Sequence, residues 1–318
     1  MLTIGIDIGG TNIKIGLIDD GKVVAKRTID AMSQQGLQPQ LKPIEDSISE
    51  LLSEYGISVS QLSGIGMSIP GIVDSKAKKV LVINDKFSDV VKLNLEQWTQ
   101  SVFNLPLAME NDARCALIGE WQYGAGRGCN NLVMVTLGTG IGTAAIMDGK
   151  IIHGSHHLAG ILGGHFIVDR DGLWCNCGNK GCAEAMASTW NLKEIVKYLG
   201  ADKAEWATQA IDFRLIFGKA HEGDVWAEKV RNHCMDVWTE TIVNLIYTYD
   251  PEKIVMAGGI MQSAGVIIPY IKEKIKHFGW APFDKIEIER SSVFADAAIL
   301  SAEYLVKSSL AVISCFRT

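Results

Sequence analysis

The chain has 318 residues, 47% of them hydrophobic, and a formal charge of −6 at pH 7. That length predicts two domains with sizeable cores, and a mildly acidic chain leaves no electrostatic footprint for nucleic acid. No apolar run approaches the roughly 18 residues that span a bilayer. The start, Met1-Leu2-Thr3-Ile4-Gly5-Ile6-Asp7, lacks a basic lead and is interrupted by Asp7, so it does not read as a signal peptide and the expectation is a cytoplasmic protein.

Residues 2–8 are β-branched and alternating, which predicts a strand. Gly9-Gly10 makes a turn, Ile13–Ile18 a second strand ending at Asp19-Asp20-Gly21, and Val23–Thr28 a third. Rossmann and Walker A loops run from a strand into a helix, so this strand–turn–strand opening excludes both. Helical spacing over Pro43–Tyr55 puts Ile44, Ile48, Leu51, Leu52 and Tyr55 on one face. Gly64–Ile69 predicts a buried strand closed by Pro70-Gly71. Leu81-Val82-Ile83 leads to Asn84, a candidate substrate contact at the head of a polar loop. Leu95–Phe103 reads as a helix and Leu107–Glu110 as a short strand. Ala113–Tyr123 is a helix that either Asn111 or Asp112 could cap.

The second half opens in the same way. Leu132–Leu137 is a strand, Gly138-Thr139-Gly140-Ile141-Gly142 a turn, and Thr143–Met147 another strand followed by the hairpin signal Asp148-Gly149. The chain then turns helical, with candidates at 184–199, 203–219, 224–249 and 262–279. Ile254–Ala257 is a strand ending at Gly258-Gly259, Lys285–Ile288 another, and Asp296–Lys307 a last helix.

Between these elements lies a segment with metal-ligand chemistry. His165 precedes Cys175, Cys177 and Cys182, and Zn²⁺ favours four tetrahedral N/S ligands. With all four positions filled by protein, such a site is structural. Cys115, Cys129, Cys234 and Cys315 are scattered and read as buried apolar side chains.

Three glycine turns follow strands. Asp7-Ile8-Gly9-Gly10-Thr11-Asn12 joins a carboxylate to successive backbone N–H groups that can form an anion nest. Asp7 could hold Mg²⁺ through water; a surface hairpin is the plain alternative. In Gly138-Thr139-Gly140 a hydroxyl can donate to a phosphate, and the bare backbone of Gly258-Gly259 can approach an adenine or ribose. Asp112 reads equally as a helix cap and as a general base.

Asp7-Ile8-Gly9-Gly10-Thr11, Glu110-Asn111-Asp112-Ala113, Leu137-Gly138-Thr139-Gly140-Ile141-Gly142, Gly164-His165, Cys175-Asn176-Cys177-Gly178-Asn179-Lys180-Gly181-Cys182-Ala183-Glu184 and Ala257-Gly258-Gly259 occur in that order. Over its whole length the chain resembles the ROK family of repressors, open reading frames and kinases. The resemblance implies an α/β, actin-like, hexokinase-type fold: two α/β domains with a cleft between them. The small domain takes residues 1–112, completed by the helix 296–318, and the large domain 113–295. It implies ATP-dependent phosphorylation of a sugar 6-hydroxyl, with Mg²⁺ and a structural Zn²⁺, and a homodimer. Asp112 becomes the base, and Asn111 and Glu184 sugar ligands. His165 turns one ring nitrogen to zinc and the other to the sugar.

Two departures stand out. The family commonly places a glutamate three positions before the histidine of Gly-His, and here that position is Leu162. A leucine cannot accept a hydroxyl's hydrogen bond, and an unpartnered hydroxyl costs about 1–3 kcal/mol. This points to a sugar substituted there, such as an N-acyl hexosamine or a glycoside, to a weakly bound hexose, or to a silent sugar or nucleotide sensor of the same fold. Ala298 and Ser301 stand where glycines are usual, a packing variation in the last helix. A family regulator carries a helix-turn-helix ahead of its sugar domain; with a first strand at residue 2 or 3 and a negative net charge, the expectation is a kinase and not a regulator.

Overall fold

The computed structural model describes residues 1–83, 86–277 and 285–315, the side chains of 312–315 excepted. By contacts the chain divides into two units. Unit 1 holds Met1–Arg127, Gly154–His157 and the chain from Ser292 on; unit 2 holds Gly128–His153 and Leu158–Ser291.

Unit 1 opens with an antiparallel meander, β1 (Thr3–Ile8), β2 (Asn12–Asp19) and β3 (Lys22–Asp30). Helix α1 (Leu41–Glu54) leads to β4 (Ile65–Ile69), then to a two-stranded ribbon of β5 (Ile72–Asp74) and β6 (Lys79–Val82). Helix α2 (Leu95–Phe103), strand β7 (Leu107–Asn111) and helix α3 (Asp112–Tyr123) follow. The sheet order is β3-β2-β1-β4-β7, with β4 and β7 parallel to β1.

Alternation decides what each face of this sheet meets. Ile4, Ile6 and Ile8 of β1 join a core with Ile44, Ile48 and Leu51 of α1. The opposite face carries glycines, and the C-terminal helix (Ala297–Cys315) lies directly on them. A β-carbon on Gly5 would stand 2.6 Å from the Ile299 carbonyl oxygen, and one on Gly66 would stand 2.4 Å from Ala302 Cα. Ser301 is tolerated on this helix because its hydroxyl donates to the Ala298 carbonyl at 2.6 Å. Helix α3 uses the same device: a β-carbon on Gly119 would lie 2.1 Å from the Ala297 carbonyl oxygen. This packing keeps α3 in unit 1, so the break by contacts follows Arg127, beyond the expected boundary at Asp112.

Unit 2 repeats the plan. Strands β8 (Leu132–Leu137), β9 (Ile141–Met147) and β10 (Lys150–Ile151) form the meander. Helices α4 (Ala183–Ala187), α5 (Leu192–Tyr198), α6 (Phe213–His221) and α7 (Val225–Tyr249) follow, then β11 (Lys253–Ala257), α8 (Ala264–Ile275) and β12 (Glu287–Arg290). The order β10-β9-β8-β11-β12 matches that of unit 1, strand for strand. Helix α7 is buried on several sides, and its Trp238 donates Nε1–H to the Ala187 carbonyl at 2.9 Å. Cys115, Cys129 and Cys234 are buried, as expected of scattered thiols; the side chain of Cys315 lies outside the described residues.

Several expected bounds shift. The helix expected over 184–199 is two, because the N–H groups of Thr189 and Trp190 leave the helix and bind the carbonyls of Gly138 and Thr139. The helix expected over 203–219 becomes a 3-10 turn at Glu205–Thr208 and α6, which starts where Asp212 caps the Leu215 N–H at 2.7 Å. The helix expected over 262–279 starts at Ala264, and the last part of that range lies outside the described residues. The last strand falls two residues later than expected, at Glu287–Arg290. Among the described residues no helix is long and apolar enough to cross a membrane.

Gly119→Ala tests the packing of α3. The added methyl has only backbone to meet, so it forces the helices apart and costs about 1–3 kcal/mol. Urea denaturation should show a lower midpoint at unchanged slope; an unchanged midpoint contradicts the packing argument.

Candidate functional site

In unit 1 the strand register builds a polar row. Lys14 of β2 pairs with Asp7 of β1, Asp7 with Ser68 of β4, and Ser68 with Glu110 of β7. The Ser68 hydroxyl donates to Asp7 Oδ1 at 2.9 Å, and Lys14 Nζ lies 3.8 Å from Asp7 Oδ2. Burial pushes the Asp7 pKa above the ordinary carboxylate value, while Lys14 and Ser68 pull it back.

Asp7 opens the first glycine turn. Gly9 N–H donates to the Asn12 carbonyl at 3.0 Å, Ala31 N–H to that of Thr11 at 2.9 Å, and the Ser33 hydroxyl to that of Gly10 at 2.8 Å. These bonds use the turn's carbonyls. Among the described residues, the N–H groups of Gly10 and Thr11 have no acceptor. Two successive free N–H groups form the nest that an anion needs.

At the end of β7, Asn111 is the cap of α3. Its Oδ1 accepts from the Ala113 N–H at 3.0 Å and the Arg114 N–H at 3.2 Å, and its Nδ2 donates to the Gly71 carbonyl at 2.8 Å and to Asp112 Oδ1 at 2.9 Å. Both donors and both lone pairs of the amide are therefore engaged. Asp112 is left beside the cap. Its side chain keeps an open face to solvent but is crowded by protein elsewhere, and that desolvation pushes its pKa up to about 6. The Ala113 N–H opposes the shift, repulsion from Asp7 adds to it, and the Asn111 amide opposes it again.

Unit 2 holds the cysteine segment. The ligand atoms of His165, Cys175, Cys177 and Cys182 all lie within 4.8 Å of one another. Cys175 Sγ stands 3.5 Å from His165 Nδ1, and Cys177 Sγ 3.6 Å from Cys182 Sγ. A tetrahedral zinc site with Zn–S bonds near 2.3 Å has S···S edges of about 3.8 Å. The donor set therefore fits zinc in kind and in size. The loop is shaped in advance: Cys175 N–H donates to the Asn179 carbonyl at 2.8 Å, and Gly178 N–H returns to the Cys175 carbonyl at 3.0 Å. Burial pushes the thiols of Cys175 and Cys182 up, and a coordinated dication reverses that penalty.

Glu184 sits two residues after Cys182 on α4, and it reaches the second glycine turn. Its Oε2 accepts from the Ile141 N–H at 2.8 Å, and a β-carbon on Gly140 would meet that oxygen at 2.4 Å. Gly138 N–H donates to the Gly140 carbonyl at 3.0 Å, closing the turn that Thr189 and Trp190 hold from outside. Gly258 is at φ +101°, and a β-carbon there would lie 2.0 Å from the Leu137 carbonyl oxygen, so only glycine fits. Gly259 faces open space. Asn84 lies outside the described residues.

A ROK family profile matches residues 3–309. The chain belongs to the ROK family. A glucokinase from Halalkalibacterium halodurans is 30% identical over 316 residues, covering 96% of this chain and 94% of its own length. An N-acetylmannosamine kinase from Haemophilus influenzae is 24% identical over 311 residues, covering 98% and 97%. The solved structure of a ROK family glucokinase from Streptomyces griseus, in complex with glucose and AMPPNP, is 26% identical with a TM-score of 0.77. It overlaps 96% of this chain and 100% of that one. The mixed α/β architecture is the hexokinase-type fold of these relatives.

Within this ROK chain, several polar residues around the site gave no signal in the sequence. Ser68 and Lys14 join Asp7 only through strand register. Arg114 is fully buried, and its NH1 donates to Glu110 Oε1 at 3.2 Å while its NH2 donates to the His157 carbonyl at 3.0 Å. Glu110 also accepts from the Ser75 hydroxyl at 2.6 Å and the Asn111 N–H at 2.8 Å, so it braces the residue that caps α3. Glu110 lies on β7 and Arg114 on α3, so the pair is set by the strand–helix junction and no helical spacing announces it. His157 Nε2 stands 3.5 Å from Asp74 Oδ2.

The donor set predicts about one zinc per chain in purified protein. Elemental analysis should find it, and Cys182→Ser should remove it and lower the melting temperature. Metal-free wild-type protein of undiminished stability contradicts the assignment.

Proposed function

We propose that this chain transfers the γ-phosphoryl group of ATP to the 6-hydroxyl of a hexose or an N-acyl hexosamine. The observation that carries the reading is the Asp112 carboxylate at the β7–α3 junction, where Asn111 takes the main cap, only Asp112 Oδ1 is bonded, and desolvation with repulsion from Asp7 raises the group to about 6. A general base works best when its pKa lies near the working pH.

The sugar oxygen forms a bond to the γ-phosphorus, the bond from that phosphorus to the β,γ-bridging oxygen breaks, and ADP leaves with the electron pair. Asp112 takes the hydroxyl proton. Such a transfer depends on positioning and charge neutralisation more than on covalent chemistry. The N–H groups of Gly10 and Thr11, with Gly9 and Asn12 shaping their turn, face phosphate. Gly138, Thr139 and Gly140 serve the same end, and Gly258-Gly259 leaves room for the nucleoside. Asp7 would hold Mg²⁺ through water, and the ion when bound supplies positive charge to the phosphates.

The sugar falls to Asn84, Asn111, His165 and Glu184. Asn111 must share one of its existing bonds with a hydroxyl. His165 directs Nδ1 at the thiols, which leaves Nε2 for the sugar. Glu184 gives Oε2 to Ile141 and keeps Oε1. Zinc held by His165, Cys175, Cys177 and Cys182 would act structurally, by fixing where His165 and Glu184 stand.

Leu162 tunes the substrate. It precedes the 3-10 turn Gly163–His165 and stands 41% exposed. An exposed leucine offers apolar surface and accepts no hydrogen bond, which favours an N-acyl group over a free hydroxyl.

An ADP-release assay across free hexoses, N-acyl hexosamines and glycosides tests the activity. Asp112→Asn should lower kcat by about 10²–10⁴-fold while zinc content stays. Because the base works only when ionised, the wild-type rate should fall as pH drops through about 6. Full turnover by the asparagine variant sinks the mechanism.

Leu162→Glu should shift preference from N-acyl hexosamine toward free hexose. The change in kcat/KM ratio should be about tenfold, the worth of one regained hydrogen bond. An unmoved ratio removes Leu162 from the account of specificity.

A further inference from the structure

Gly10 lies against the side chain of Lys86. A β-carbon on Gly10 would stand 2.5 Å from Lys86 Nζ, 3.0 Å from its Cδ and 3.3 Å from its Cε. The tip of Lys86 therefore occupies the space that glycine vacates. Among the described residues no carboxylate pairs with it, whereas Lys14, the other lysine near this turn, stands by Asp7.

The placement is built into the chain. Phe87 follows Lys86, is fully buried, and holds a left-handed backbone at φ +52°. An aromatic residue rarely adopts that conformation, and such strain persists where the surroundings enforce it. Here they do. Phe87 N–H donates to the Ser33 carbonyl at 2.8 Å, and the Ser33 hydroxyl donates to the Gly10 carbonyl at 2.8 Å. One residue thus ties the lysine's segment to the glycine turn. Asp89 adds a second tie, accepting from the N–H groups of Leu37 at 2.7 Å and Gln38 at 2.8 Å.

An ammonium beside two free N–H groups is a site for an anion of high charge. Which phosphate it meets follows from Asp112. That base must reach the hydroxyl that attacks the γ-phosphorus, and it directly follows the end of β7 in the sheet where Asp7 ends β1, with only β4 between the two strands. Asp7 opens the turn under Lys86, so the anion at this turn is the terminal phosphoryl group. We propose that Lys86 binds the γ-phosphoryl group of ATP over Gly10 and neutralises the charge that spreads across its oxygens during transfer. This rests on the kinase reading for the identity of the anion, and on geometry alone for the existence of the site.

The test separates the two. Binding of AMPPNP with Mg²⁺ and of ADP with Mg²⁺ is measured by calorimetry on wild type, Lys86→Met and Lys86→Arg. Lys86→Met should weaken AMPPNP by about tenfold, the worth of a charge-assisted hydrogen bond, and change ADP less than about twofold. In turnover its kcat should fall by about 10²-fold, as when one donor to a developing charge is removed. Lys86→Arg should recover part of both. Equal weakening of the two nucleotides, or no weakening of either, overturns the proposal. A wild type that phosphorylates no sugar, yet loses its AMPPNP preference in Lys86→Met, overturns the kinase reading and keeps the lysine's role.

Discussion

Three parallel strands of unit 1 end in register, and nearly everything about its candidate chemistry depends on that. Register sets Asp7, Ser68 and Glu110 side by side, with Lys14 beyond Asp7. Each of these groups is expensive to bury alone. Ser68 and Lys14 satisfy Asp7, and Arg114, Ser75 and the Asn111 N–H satisfy Glu110, so the sheet can end in a polar row while its interior stays apolar. A slip of one residue would turn each of them to the other face, toward the core of Ile4, Ile6 and α1. The isoleucines that fill that core are therefore what aims the carboxylates. The glycines on the opposite face contribute as well: with Gly5 and Gly66 pressed to the C-terminal helix, the strands have little freedom to shift.

Beside the row, two neighbours divide their labour. Two adjacent polar residues end β7, and either could cap the helix that follows. Asn111 takes the cap because its amide can accept from two helix N–H groups while donating to Gly71 and Asp112. A carboxylate in that position could accept but never donate. Glu110 and Arg114 hold the backbone beneath, a buried pair in which each partner also has further hydrogen bonds. Such a pair adds little net stability but is costly to break, which suits a place where geometry must be kept. Asp112 keeps only its Oδ1 engaged, by Ala113 N–H and the Asn111 amide, and carries an unfavourable charge in a desolvated place with Asp7 adding to it.

The sequence made the local parts of this legible and the long-range parts opaque. Helix α2 falls on the residues its spacing predicts, and the strand–turn–strand opening of each unit is readable because alternation and glycine are local signals. The cysteine segment is readable for the same reason, with its four donors in one stretch. The polar row is not, since Asp7, Ser68 and Glu110 come together only through pairing across distant strands. Nor could spacing decide between Asn111 and Asp112, because both are good caps and the outcome turns on the Gly71 carbonyl, far away in sequence. The break at 188–191 was hidden too. Those residues have a helical pattern, but the Gly138–Gly140 turn takes the N–H groups that a helix would use.

That break joins two features of unit 2 that look separate in the sequence. The cysteine loop ends at Cys182, α4 begins at once, and its Glu184 is already bonded to Ile141 beside the glycine turn. A few residues on, Thr189 and Trp190 bind the same turn from outside. One short helix is thus pinned to the turn at both ends. A turn of glycines has few side-chain contacts of its own and pays a large entropic cost to order. Anchoring it through α4 supplies the order from elsewhere, and the donor set of His165, Cys175, Cys177 and Cys182 fixes the chain that leads into α4. A metal in that set would then stiffen the turn without touching it, since everything between them is one run of backbone whose ends are already held.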